Sequence, residues 1–205
     1  DVCSSDLPKT PKPHRANYIN LVNIILGQSD FSELGDLNND IEVDILDVIL
    51  TVEIILGGEY GNMSSWEIIQ QEILNESCIS CHIEGEFYAE QSGLILTNDI
   101  AYQELINTDP INSSALNDGL VLVSDNGGLL GLQTSYLWEK IDVWNQEHYY
   151  ADHPNYGSLM PMGGPFLTQG KLDFIEQWIF AGAPVTGTVA DIALLNDNTM
   201  WSEPE

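Results

Sequence analysis

Two apolar segments with nearly the same pattern lie thirty residues apart in the first part of the chain. Asn17-Tyr-Ile-Asn-Leu-Val-Asn-Ile-Ile-Leu-Gly27 and Asp47-Val-Ile-Leu-Thr-Val-Glu-Ile-Ile-Leu-Gly57 share Ile, Val, Ile-Ile-Leu and Gly at matching places. Each predicts a short apolar helix stopped by glycine. Neither is long enough to persist alone in water, so the two are expected to pack together. A third helix is predicted from Ser64/Ser65 to Ser77, with a serine cap and an apolar face of Trp66, Ile68, Ile69, Ile73 and Leu74. A fourth begins at the cap Thr168 and runs to about Phe180, where Gly182 and Pro184 end it. Its face of Leu172, Ile175, Trp178 and Ile179 suits it to cross the third. Between them the pattern is weaker. Leu94–Leu96 and Leu120–Val123 are short apolar runs, Ser124-Asp-Asn-Gly-Gly128 is a turn, and Tyr136, Leu137, Trp138 and Ile141 mark one more short helix. Trp138 and Trp144 read as core residues. No run approaches the ~18 apolar residues that span a bilayer.

Charge narrows the classes of partner. The 205 residues carry 32 acidic and five basic side chains, a net charge of −27, and beyond Arg15 the only basic residues are Lys140 and Lys171. Such a surface repels phosphate backbones and anionic membranes, and nucleic acid is excluded as a partner. It suits salty surroundings, cations, or a basic or cation-bridged protein partner. With 43% hydrophobic and 9% aromatic residues the chain is expected to fold, not to behave as an acidic tail. Residues 1–7 resemble a translated sequencing adapter, and the basic, Pro-rich stretch 8–15 reads as a junction or linker, so Cys3 is given no role.

Ahead of the second repeat helix, Asp36, Asn38, Asp40, Asp44 and Asp47 fall at positions 1, 3, 5, 9 and 12 of an EF-hand-type loop. Glu42 is expected to offer its carbonyl at position 7, and Val43 to anchor the loop at position 8. Alternate residues of a tight loop bring several oxygens to one point, as Ca2+ requires. Ile41 stands where glycine is preferred, and the loop ends in Asp where EF-hands use Glu. Residues 17–58 resemble a type I dockerin, whose calcium loops end in Asp before a short Leu/Ile-rich helix. The resemblance implies a cohesin-like partner. A second dockerin loop would occupy residues 6–17, but Asp6, Pro8, Thr10, His14 and Asn17 there do not make a calcium site.

Residues 78–82 read Cys-Ile-Ser-Cys-His. Two cysteines three apart reach the two vinyl groups of one porphyrin, and the adjacent His82 presents its imidazole to the iron. A zinc knuckle needs two further ligands and no second Cys pair exists; a redox dithiol is expected after a strand, which is not apparent. The chain from about 64 to 185 resembles a monohaem cytochrome c domain of the planctomycete type. The shared features are Cys78–His82, Ser92-Gly-Leu-Ile-Leu96, Ser135-Tyr-Leu-Trp138 before a lysine, Met160-Pro161, and Gln177-Trp-Ile-Phe-Ala-Gly-Ala-Pro184. The resemblance implies one haem c held by Cys78 and Cys81, with His82 and Met160 as the iron ligands. Met162, and His148 or His153 in the insert His148-Tyr-Tyr-Ala-Asp-His153, are the alternatives at the sixth position, as is an open site.

The expectation is therefore a mainly α protein: a junction or disordered segment at 1–16, a dockerin-like helix pair at 17–58, a cytochrome c-type helical haem domain at 62–185, and an acidic tail or linker at 186–205. The implied function is electron transfer by an extracytoplasmic bacterial protein, periplasmic, on the outer surface or secreted, without catalysis of its own. The alternatives are a calcium-dependent assembly module tethering a cytochrome, the electron-entry domain of a larger oxidoreductase, and a haem sensor or peroxidase-like protein. No Gly-x-Ser-x-Gly elbow, phosphate loop or His-Glu-x-x-His zinc motif is present, so an independent hydrolase is not expected.

Overall fold

A computed structural model describes Ile49 and residues 60–202. The chain divides between Asn62 and Met63 into two compact units, and the described residues from Met63 onward belong to one of them. The dockerin-like pair at 17–58 lies outside the described residues, Ile49 apart, and the calcium loop lies wholly outside them. The described part is mainly helical, and its only β-pairing is two isolated bridges, Ile106 with Val123 and Val121 with Ser135. No described helix is long and apolar enough to cross a membrane.

The first helix, α1, runs over 65–77 as Ser65–Ile68, a π-helical stretch Ile69–Leu74, and Asn75–Ser77. Ser64 caps it in a full capping box. Its hydroxyl accepts from Glu67 N at 3.2 Å, and its own N–H donates to the Glu67 carboxylate at 2.7 Å. The π stretch has a readable cause. Ile68 and Ile73, and likewise Ile69 and Leu74, are five apart, which in an α-helix is about 140° beyond a full turn. The i→i+5 pattern brings such pairs closer to one face, and all four are at most 1% exposed.

Short helices follow: α2 Phe87–Ser92, α3 Ala101–Leu105, α4 Ser113–Asn117, α5 Gly128–Gln133, α6 Tyr136–Ile141 and α7 Gln146–Asp152. The longest, α8, is Gln169–Phe180. Thr168 caps it by accepting from Lys171 N at 3.3 Å. Leu172, Ile175, Trp178 and Ile179, the predicted face, are buried together with Phe174. The expected contact between the first and last helices is made by Trp66 and Trp178, whose ring centroids are 5.4 Å apart. At the other end of α1, Lys171 Nζ donates to Glu72 O at 2.7 Å and to the Glu76 carboxylate at 2.8 Å.

Residues 186–202 lie on this unit and are held by backbone groups. Ser65 N donates to Gly187 O at 3.0 Å, while the Ser65 hydroxyl accepts from Val189 N and Ala190 N. Gln169 N and Gly170 N, at the start of α8, donate to Thr199 O and Asp197 O. The two long helices thus have orphan N-terminal donors satisfied by the segment expected as a tail or linker. Gly170 is the point of closest approach: a Cβ there would overlap the Leu194 carbonyl oxygen. Trp144, expected in the core, is 47% exposed. It sits in a 3-10 turn, Val143–Asn145, whose buried residue is Val143.

Candidate functional site

The Cys78–His82 motif continues α1 by one tight turn. Cys78 N donates to Leu74 O, and Cys78 O accepts from both Cys81 N and His82 N at 3.1 Å. The turn brings the first cysteine and the histidine to one end of the helix. The Ser92–Leu96 run then packs alongside: Leu96 N donates to His82 O at 2.8 Å. Buried Gln70 reaches from the π stretch and donates to Leu96 O at 2.9 Å.

His82 Nδ1 lies 3.2 Å from Leu94 O and 3.4 Å from Ser92 Oγ. A carbonyl only accepts, so Nδ1 carries the proton and Nε2 carries the free lone pair. Burial is the main force lowering the His82 pKa from 6.5; the Leu94 bond opposes it, and the Lys140 charge lowers it further. Burial favours the neutral ring, and the Leu94 bond at Nδ1 leaves Nε2 open to a ligand. Met160 N donates to Lys140 O at 2.7 Å.

The two cysteines differ. Cys78 is a free thiol, pushed up to about 12 by burial, with Lys171 lowering it slightly. Almost no thiolate then exists at neutral pH, which argues against thiol exchange at this sulfur. Cys81 is disulfide-bonded. A disulfide and a thioether use the same sulfur, so attachment at Cys81 requires its reduced thiol. Cys78 and the His82 ring fit a c-type haem as they stand, and Cys81 fits it once reduced.

Of the sixth-position candidates, Met160 is half-buried and Met162 is 40% exposed. His148 is exposed, its Nδ1 2.8 Å from Asp152. His153 stacks on Tyr156 at 4.3 Å with an interplanar angle of 10°, its Nε2 3.9 Å from Glu139. Both histidines already have carboxylate neighbours. Among the described residues no group of three His, Cys, Asp or Glu side chains is placed to hold a metal ion.

Sequence reasoning missed the aromatic cradle beneath the Met160 loop. Tyr136 OH donates to Tyr156 O at 2.6 Å, Tyr149 OH to Gly157 O at 3.0 Å, and Tyr156 OH to Asp118 at 2.8 Å. Lys140 Nζ donates to Tyr156 O at 3.0 Å, to Ser158 O, and to Tyr149 OH at 3.3 Å. Its only trace in the sequence is a lone lysine among tyrosines in an acidic chain.

Burial moves these groups in ways that set a pH profile. Lys140 is lowered from 10.5 to about 8, and Tyr136 is raised from 10.0 to about 12. Tyr149 and Tyr156 are also raised, chiefly by burial. Between about 8 and 10.5 the unfolded chain keeps a lysine proton that the folded chain has lost, so this group makes stability rise with pH. Above about 10 the unfolded chain loses tyrosine protons that the folded chain keeps, so stability falls. Urea midpoints are expected to climb from about pH 8, peak near pH 9–10, then drop. In Lys140→Met the climb disappears and the drop remains.

Comparison with known proteins returns nothing: no protein-family model, no curated protein and no solved structure matches this chain.

Proposed function

We propose that the unit beginning at Met63 is a one-haem electron carrier in which Cys78 and Cys81 would hold the haem through thioethers and His82 Nε2 and Met160 Sδ would ligate the iron. The observation that carries this reading is the His82 ring. Its Nδ1–H is held by Leu94 O at 3.2 Å, which orients Nε2 as a ligand at the end of a helix whose last turn bears Cys78. Bound haem would supply a one-electron iron couple, with a thioether ligand favouring the reduced iron. The protein's part is to fix the His82 ring and to hold Met160 as the second candidate ligand. Met160 is preferred over Met162 because it is less exposed and its N–H is held by Lys140 O.

The same reading extends to the rest of the chain. The acidic loop Asp36, Asn38, Asp40, Glu42, Asp44 and Asp47 is proposed to bind Ca2+, and the dockerin-like pair to offer a docking face for a cohesin-like partner. The net charge of −27 suits a basic or cation-bridged redox partner. Covalent haem attachment and a calcium loop would both suit a protein that works outside the bacterial cytoplasm.

The test is optical spectroscopy on the full chain made with cytochrome c maturation, oxidised, reduced and under carbon monoxide. The expected parent has covalent low-spin haem and ignores carbon monoxide. Met160→Ala binds it, and Met162→Ala does not. Carbon monoxide binding by the parent would move the reading to a sensor or peroxidase-like protein. Absence of covalent haem would sink it.

A further inference from the structure

Met160 lies in a stretch without regular structure, between α7 ending at Asp152 and α8 starting at Gln169. A loop of this length has many conformations, and holding one sulfur in a fixed place needs more than its own backbone. Three consecutive carbonyls, two to four positions ahead of Met160, turn inward. Those of Tyr156, Gly157 and Ser158 are all taken by side chains of α6 and α7.

Lys140 stands out among these side chains. In a chain of net charge −27 it makes no ion pair with a described residue. Its ammonium is spent instead on Tyr156 O, Ser158 O and Tyr149 OH, and lies over the Tyr136 and Tyr149 rings at 5.6 and 5.8 Å from their centroids. An ammonium has three donors and all three are used. The main chain of the same residue accepts from Met160 N at 2.7 Å. One residue therefore grips the loop two and four positions ahead of the sulfur through its side chain, and at the sulfur-bearing residue itself through its carbonyl.

We infer that Lys140 is the positioning residue of the Met160 loop: its ammonium draws the Tyr156 and Ser158 carbonyls onto α6, while its carbonyl fixes the Met160 amide. The consequence for ligation rests on the proposal that Met160 binds the iron; the clamp itself does not. Tyr149 and Tyr136 each hold one carbonyl, whereas Lys140 alone spans the loop. Its hydrogen bonds go to the loop and to Tyr149, none to the sulfur or to His82, so its hold on the sulfur passes through the loop backbone.

The test is Lys140→Met in the full haem-loaded chain, which nearly keeps the side-chain length and removes every donor. Two readouts are taken together: amide hydrogen exchange, and carbon monoxide binding by the reduced protein. Exchange at the Leu159 and Met160 amides, which donate to Tyr150 OH and Lys140 O, is expected to quicken by about tenfold or more while α8 amides stay within about twofold. Haem content stays unchanged, and the reduced variant now binds carbon monoxide. Unchanged loop exchange overturns the inference, as does an equal rise in α8, which would make Lys140 a general stabiliser. If the loop quickens but the parent already binds carbon monoxide, the clamp stands and the Met160 reading falls. Should Lys140→Met not accumulate as folded protein, Lys140→Arg decides. A planar guanidinium does not reproduce the ammonium's three-way geometry, so the loop should still exchange faster than in the parent, with α8 unchanged. Parent-like loop exchange in that variant overturns the clamp.

Discussion

Replacing Trp178 by alanine lowers the stability of the helical unit by about 4 kcal/mol, the range found for emptying a buried aromatic site. Trp178 is fully buried, its ring lies 5.4 Å from that of Trp66, and its indole N–H donates to Pro184 O at 2.9 Å. The substitution therefore opens a cavity where α1 crosses α8, removes an aromatic contact, and leaves a carbonyl without its donor. At about 2–4 °C per kcal/mol for a chain of this size, the melting temperature falls by roughly 10 °C. Trp178→Phe keeps most of the buried area and loses the N–H, so about 1 kcal/mol is expected for the missing hydrogen bond plus a smaller cavity cost. Near-UV circular dichroism during urea unfolding reads both. Equal losses for the two variants would show that the Pro184 bond, not the packing, carries the effect.

Gly170→Ala tests the second feature on which the unit closes, and here two effects oppose. In a helix interior alanine is favoured over glycine by about 1 kcal/mol. Against that, the new Cβ overlaps the Leu194 carbonyl oxygen and comes within 2.8 Å of Asp197 O and 2.9 Å of Leu194 C. These are backbone atoms, so relief means moving the 3-10 turn Ile192–Asn196 off the start of α8 and losing the Gly170 N to Asp197 O bond. Overpacking of this kind costs about 1–3 kcal/mol, and a backbone clash belongs at the upper end, so the net is about 2 kcal/mol destabilising. The sign is the informative part. In a chain ending at residue 190 the obstacle is gone, and Gly170→Ala is expected to become neutral or stabilising. If it destabilises both chains equally, the clash is not the cause.

What was legible in the sequence follows from how local each signal is. Helices α1 and α8 announce themselves within one turn, through the serine cap at Ser64/Ser65, Thr168, and apolar residues spaced for one face. Their contact was foreseen because each had an apolar face needing cover. The π stretch was within reach: the five-residue spacings of Ile68–Ile73 and Ile69–Leu74 are awkward for an ordinary helix, but a regular face was still assigned. Other features had no local sign at all. The Tyr102 hydroxyl donates to Ala183 O across 81 residues, and Lys171 reaches Glu76 across 95. Trp144 went astray because large aromatic residues are usually buried, while here Val143 takes the inward place. At the candidate site the motif named Cys78, Cys81 and His82. The partners that orient the ring, Leu94 O and Ser92, belong to a run whose apolar pattern and resemblance carry no sign of that contact, because a backbone carbonyl leaves no mark in side-chain identity.

The double hold of Ser65 on residues 189 and 190 has a consequence in time. The contact spans 125 residues, nearly the whole described length of the unit. A chain is synthesised from its N-terminus, so α1 and the Cys-x-x-Cys-His turn exist long before the strap that secures them. Until Gly187 to Thr199 have been made, the Ser65, Gln169 and Gly170 amides at the starts of both long helices must take their hydrogen bonds from water. Contacts so far apart in sequence close late and slowly. The nascent unit therefore passes through a stage in which the motif is formed but unlatched, and completion is timed by its last-made segment.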